Sequence, residues 1–188
     1  MKWLLIYKKE ITITLIIIAL IIIIKKSNAM STIISKPGEN RLPPNWGPDA
    51  EGIAHFKKWE GIRYKAYKDS AGLWTTGIGH LIKSNEQHLI KKTLTEAEVM
   101  ELFYKDIAAA RTVVNKRIKV PITQGLYNAL LSLAFNTGTI YNFIVTLVEA
   151  GDMAALKKRW LTTAITVNGG KTIVKGLKNR RADEIKLF

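Results

Sequence analysis

The sequence predicts a mostly helical α+β fold: a small β-hairpin lobe, a long connecting helix and a larger helical lobe, preceded by an N-terminal hydrophobic helix. Three observations carry this expectation. The stretch "YKAYKDSAGLWTTGIG" from Tyr64 alternates around the turn formers Asp69, Ser70 and Gly72, as a short antiparallel hairpin does. Thr95 and Glu98 have capping-box spacing, and behind them Val99, Leu102, Phe103, Ile107, Ala110 and Val114 share one helical face. Residues 123–135, 141–150, 152–161 and 177–188 then read as four further helices.

From the N-terminus, residues 11–24 read "ITITLIIIALIIII", with no charge inside and lysines on both sides. As a helix the run covers roughly 21 Å at about 1.5 Å per residue, against a hydrocarbon core about 30 Å thick. Snorkelling lysines and the preceding "WLLIY" narrow that gap. The length, the basic front end and the "SNA" ending at Ala29 also fit a signal peptide. A core helix is disfavoured, because the run is apolar all round and β-branched at eleven of fourteen positions. Residues 1–29 are therefore expected to be a signal anchor or a signal peptide. Residues 30–48 form the linker: the span from Ser31 to Pro48 holds four of the five prolines and no helical period. Residues 49–188 are the globular domain, since 188 residues suffice for one core plus an appendage. Its first helix runs from Asp49 to Glu60, with Ile53, Phe56 and Trp59 near helical spacing and Gly61 as the stop.

The formal charge is +14, of which +4 lies in residues 1–29 and +10 in the rest, so the globular part is basic in its own right. A field of that sign favours anionic partners such as nucleic acid, acidic lipid or cell-wall polymer. The absence of cysteine removes disulfides, thiol catalysis and cysteine-ligated zinc. His55, His80 and His88 are scattered and form no metal pattern, so a mechanism without metal or cofactor is expected.

Two acids stand out. Glu60 falls in the last turn of its helix, where the dipole and the free carbonyls disfavour a carboxylate by several tenths of a kcal/mol. That is a poor place for a negative charge and a suitable one for a proton donor beside the apolar Trp59. Asp69 follows nine residues later in a solvated turn. Two carboxyl groups in contrasting surroundings are the pattern of glycoside cleavage, one protonating the leaving oxygen and the other serving the opposite face. A blander reading also fits, in which Glu60 ends an exposed helix and Asp69 turns a loop.

The surrounding residues add a resemblance. "EGIRYKAYKDSAGLWTTGIGHL", "LTEAEVMELFYKDIAAA", "ALLSLAFNTG" and "GLKNRRADEIKLF" are similar, in that order, to pieces of the T-even phage lysozyme type, glycoside hydrolase family 24. The resemblance covers the chain from about residue 50 to its end and implies the two-lobed lysozyme-like fold. It makes Glu60 the general acid, Asp69 the carboxylate that helps place the attacking water, and Thr75 a hydroxyl that holds that water. Thr76 stands where isoleucine is usual. Leu81, Phe135 and, across a two-residue gap, Thr146 match positions lining the sugar cleft. Arg180 matches an arginine facing the catalytic acid, and His80 with Asp106 matches a structural ion pair. The implied reaction is inverting hydrolysis of the β-1,4 bond between N-acetylmuramic acid and N-acetylglucosamine in peptidoglycan, by a monomer without cofactor.

The implied biology is an exported endolysin that lyses a bacterial host. It is held at the inner membrane through residues 11–24 and faces the periplasm, or becomes periplasmic after cleavage. Nine isoleucines make the segment more apolar than Gly- and Ala-rich anchors that leave the bilayer, so it is expected to stay tethered or to be cleaved. A lytic transglycosylase, which can work with a glutamate alone, is the second enzymatic reading. A third is a non-enzymatic basic module that disorders envelopes through "KKRW" and "KNRR", runs that also fit solvated helix faces. No basic-aromatic nucleic-acid motif is present.

Overall fold

The computed structural model describes residues 46–69, 72–167 and 172–188. The expected signal anchor or signal peptide, nearly all of the linker, and Ser70 lie outside them. Among the described residues no helix is long and apolar enough to cross a membrane.

Helix α1 (Ala50–Glu60) opens at Asp49, whose carboxylate accepts the Gly52 N–H at 3.0 Å and the Asn128 side-chain amide at 2.7 Å. One side chain thus caps α1 and fastens it to α4 (Gln124–Thr137). Phe56, fully buried, meets Phe103 of α2 (Glu96–Asp106) and Phe135 of α4 edge-on, at 5.1 and 5.3 Å between ring centres. Contacts of this kind contribute about 0.5–1.5 kcal/mol each beyond their area. They fix α1, and with it the position of its last residue, Glu60.

The hairpin forms as expected, with a third strand added: β1 (Arg63–Lys68), β2 (Trp74–Gly77) and β3 (His80–Leu81) make an antiparallel sheet in that order. Tyr67 pairs with Thr75, and Thr75 in turn with Leu81. The register shifts between Arg63 and Tyr67, bending β1. A 3-10 helix (Ser84–Lys91) follows, and the predicted capping box is present at the start of α2. Thr95 Oγ1 accepts the Glu98 N–H and the Glu98 carboxylate accepts the Thr95 N–H.

The long connecting helix is interrupted. It is two helices, α2 and α3 (Ala108–Arg117), meeting at Ile107, whose ψ of −7° departs from the helical value near −42°. The bend keeps the predicted face on the core, since Val99, Phe103, Ile107, Ala110 and Val114 are all buried and Leu102 partly so. Helix α4 is the centre of the larger lobe, buried without a break from Leu126 to Ala134. Around it lie α5 (Asn142–Glu149), α6 (Met153–Trp160) and α7 (Lys175–Glu184). Helix α7 begins and ends earlier than the 177–188 expected. Ahead of it, β4 (Thr166–Val167) and β5 (Thr172–Ile173) form a small antiparallel pair with no counterpart in the sequence reading.

The packed body reaches back into the span read as linker. Trp46 is buried edge-on against Tyr127 at 5.3 Å, and its carbonyl accepts from Arg111 Nε at 2.9 Å and the Tyr127 hydroxyl at 2.7 Å.

Candidate active site

Glu60 stands at the C-terminal end of α1, and its side chain is about one-fifth exposed. Arg180 of α7 crosses to it, Nη1 donating to Glu60 Oε1 at 2.6 Å. The other side of the carboxyl is lined by Gly79, between β2 and β3. A Cβ built there would lie 3.5 Å from Glu60 Oε2 and from its Cβ. That distance is an ordinary contact, and it is the φ of +71°, which a side chain would strain, that suits glycine to this position. Glu60 is thus set between a cation on the helical lobe and bare backbone on the sheet.

Asp69 and Thr75 come together on that sheet. Asp69 follows the end of β1, and its carboxylate accepts the Leu73 N–H at 2.9 Å, an arrangement that closes the turn. Its second oxygen lies 3.5 Å from Thr75 Oγ1, which is also 3.4 Å from the Leu73 carbonyl. Both contacts are long, so each holds the hydroxyl only weakly. Strand alternation sends Thr76 the opposite way, where it is fully buried and donates to the Arg63 carbonyl at 3.3 Å. Of the adjacent threonines, only Thr75 therefore stands with Asp69.

The expected cleft residues divide. Leu81, paired with Thr75, is 46 % exposed on β3. Phe135 packs against Phe56 and is partly buried, so much of its ring belongs to the core. Thr146 is exposed on α5, with its hydroxyl donating to the Asn142 carbonyl of its own helix at 3.1 Å. The His80–Asp106 pair is present at 2.9 Å and larger than expected. Nε2 of the same ring faces Glu86 at 3.1 Å, and Lys105 donates to Glu86 at 2.6 Å. The Lys105 ammonium, foremost, holds the Glu86 carboxyl down at about 2, while burial pushes Asp106 up.

Sequence reasoning missed the polar cluster behind Arg180. Ser132 on α4, fully buried, accepts from Arg180 Nη2 at 3.2 Å and donates to Glu184 at 2.6 Å. Glu184 also accepts from Trp160 Nε1 at 2.8 Å and from Arg181 at 2.9 Å, and lies 3.4 Å from Arg180 Nε. Arg181 reaches Asn136 as well, at 2.9 Å. Burial pushes Glu184 up and Arg181 down, each opposed by the other's charge. His55 of α1 completes the cluster, with Nε2 3.1 Å from Ser132 Oγ. Burial, and then the Arg180 charge, lower its pKa from 6.5 to about 4. Signals for these residues existed: a serine inside the apolar run "ALLSLAF", a histidine on the apolar side of α1, and the four-residue spacing of Arg180 and Glu184.

The profile of the phage lysozyme family matches residues 57–184, which span Glu60 with its arginine and the Asp69–Thr75 pair. The chain belongs to the phage lysozyme family. It is accordingly a glycoside hydrolase that degrades peptidoglycan. Among its relatives, the endolysin of Acyrthosiphon pisum secondary endosymbiont phage 1 is 37% identical over 142 residues, covering 73% of this chain and 94% of that protein. The SAR-endolysin of Enterobacteria phage P21 is 35% identical over 131 residues, covering 66% of this chain and 74% of the relative. Solved structures agree on the fold. The endolysin from Escherichia coli O157:H7 phage FAHEc1 aligns at a TM-score of 0.65 and 29% identity, over 76% of this chain and 93% of that one. A variant of P22 lysozyme aligns at 0.63 and 28%, over 76% and 98%.

Proposed function

We propose that this family member is an inverting muramidase in which Glu60 is the general acid and Asp69, with Thr75, places the attacking water. The bond cut is the β-1,4 linkage between N-acetylmuramic acid and N-acetylglucosamine. The observation that carries the reading is the pairing of a carboxyl braced by Arg180 at 2.6 Å with a separate aspartate–threonine pair on the facing sheet. Glu60 gives its proton to the bridging oxygen as the glycosidic bond breaks. Water held by the Asp69 carboxylate and the Thr75 hydroxyl adds to the anomeric carbon from the opposite face, passing its proton to Asp69. Leu81 borders this water site through its pairing with Thr75, and Phe135 and Thr146 extend the sugar-binding surface along the helical lobe. No covalent intermediate and no cofactor enter these steps.

Residues 1–29 serve as the export signal and inner-membrane anchor, and residues 30–45, ahead of the packed Trp46, as the tether that lets the domain reach the periplasmic wall. The likeness to proteins named SAR-endolysin, including that of phage P21, supports this part. Lysis of a bacterial host is the biological role, as the endolysin relatives suggest.

The test is hydrolysis of purified peptidoglycan by the parent, Glu60→Gln and Asp69→Asn. Loss of the acid is expected to cost about 10²–10⁴-fold, with reducing-end muropeptides as parent products and an inverted anomer by NMR. Anhydro-muropeptides would replace this mechanism with transglycosylation. A fully active Glu60→Gln would remove the acid assignment.

A further inference from the structure

Arg180 is held at both ends, and the second end leads to His55. Nη1 donates to Glu60 and Nη2 to Ser132 Oγ, so where the guanidinium stands relative to the acid depends on what fixes that serine. Ser132 is fully buried on α4 and has one proton and two lone pairs. The proton goes to Glu184 Oε1 at 2.6 Å. One lone pair takes Arg180 Nη2. The other is left for His55 Nε2 at 3.1 Å, which must then arrive as an N–H. The inventory closes only with His55 as donor.

We propose that His55 is a positioning residue for the proton donor: its Nε2–H holds Ser132, Ser132 holds Arg180, and Arg180 holds Glu60. The proposal rests on Glu60 being the acid. Three helices are tied by it, since His55 and Glu60 lie on α1, Ser132 on α4 and Arg180 on α7. The charged groups facing the ring are Lys58 on its own helix and Arg180, Arg181 and Asp183 on α7. On α4 its neighbour is the neutral Ser132, behind which lies Glu184. Burial first, and then three cations against one adjacent anion, keep the ring neutral at neutral pH. A neutral ring has a single N–H, and the Ser132 contact selects Nε2 for it.

Without that donor the serine is oriented by Glu184 alone and one of its lone pairs is left unmet, so the acceptor of Arg180 is held less firmly while the arginine keeps its charge. An arginine loosened by a fraction of an ångström changes both the angle of the acid and the field in which its proton sits, and small misplacements of this kind carry large rate penalties.

The experiment compares His55→Leu, which fills the space without a donor, with His55→Gln, whose side-chain amide can donate from the Nε2 position. Steady-state hydrolysis of solubilised glycan strands is followed from pH 4.5 to 9. His55→Leu is expected to lower kcat about tenfold with KM within about twofold, a loss confined to the transition state. The alkaline limb of its kcat/KM profile should be displaced by about half a pH unit or more. His55→Gln should recover kcat to within about threefold of the parent and restore the limb. Ser132→Ala, a smaller change in the core, should reproduce the displacement if His55→Leu fails to fold. Parent-like kcat and pH profile in a folded His55→Leu, or equal losses in the Leu and Gln variants, would overturn the proposal. Glu60→Gln run alongside separates the two failures. If it is inert while a folded His55→Leu behaves as the parent, the relay fails and the acid stands; if it is active, both fall.

Discussion

His55 should make the domain lose stability between pH 7 and 5, ahead of the losses that Glu86, Glu98 and Asp183 bring. Its folded pKa, about 4, lies below the unfolded 6.5, so folding excludes a proton from the ring. The stability gained from keeping it neutral is therefore complete above about pH 6.5 and is lost as the pH falls towards 4. The full shift corresponds to about 3 kcal/mol. Between pH 7 and 5 alone the loss is roughly 2 kcal/mol. Glu86, Glu98 and Asp183 work in the other range: with pKa values held at about 2, their contributions fade only as the pH falls below about 4.5. Urea denaturation of the parent and of His55→Gln, at half-unit steps from pH 7.5 to 4.5, isolates the ring, because every other titrating group is common to both. The difference between the two curves should shrink or grow by roughly 2 kcal/mol across the window, with the parent falling faster on acidification. Parallel curves would show that the ring takes up its proton in the folded domain at an ordinary pH, which would refute the burial argument.

Three other outcomes are expected. Replacing His80 and Asp106 singly and together should give a coupling of about 1 kcal/mol or more in a double-mutant cycle by urea denaturation, because the two sit 2.9 Å apart in a half-buried pair; strictly additive losses would contradict it. Gly79→Ala should cost about 1–2 kcal/mol through its left-handed backbone. The new methyl would rest in ordinary contact, 3.5 Å from Glu60 Oε2, so glycan hydrolysis at matched folded fraction should stay near that of the parent; a clear further loss would show that the acid is displaced. Gly125→Ala places a Cβ 1.8 Å from the Leu187 carbonyl oxygen, an impossible overlap that must push the C-terminal segment off α4. A loss of about 1–3 kcal/mol is expected, and deleting Leu187 and Phe188 should abolish most of the difference between Gly and Ala at 125. An undiminished difference in the shortened chain would place the clash elsewhere.

Much of this fold was legible because its signals are local. Asp49, Thr95 and Thr123 cap the helices they precede, and Gly61 and Gly138 stand where α1 and α4 stop. The hairpin was legible from its turn, and the face of α2 and α3 from its period. The break at Ile107 was not, because an isoleucine with a helical φ carries no sequence mark of a ψ opened to −7°. Nor was the β4–β5 pair, two residues on each side, too short for alternation to register. In the site, Glu60, Asp69, Thr75 and Arg180 were named from spacing and resemblance. The cluster around Ser132 was not, since it depends on contacts between α1, α4, α6 and α7 that lie up to 77 residues apart, as in the His55–Ser132 bond. Long-range polar satisfaction leaves only faint traces in a linear reading, such as one serine in an apolar run.

Trp46 has a practical bearing on how the domain is handled and how it meets load. Its indole is buried and its carbonyl is gripped from two helices, by Arg111 on α3 and Tyr127 on α4. A recombinant fragment trimmed at residue 49 would discard this plug, leave a hollow beside Tyr127 and strip both donors of their acceptor. In the intact chain, a pull arriving along the preceding segment meets α3 and α4 at Trp46, and α4 again where Gln124 holds the Gly47 carbonyl, before it reaches α1.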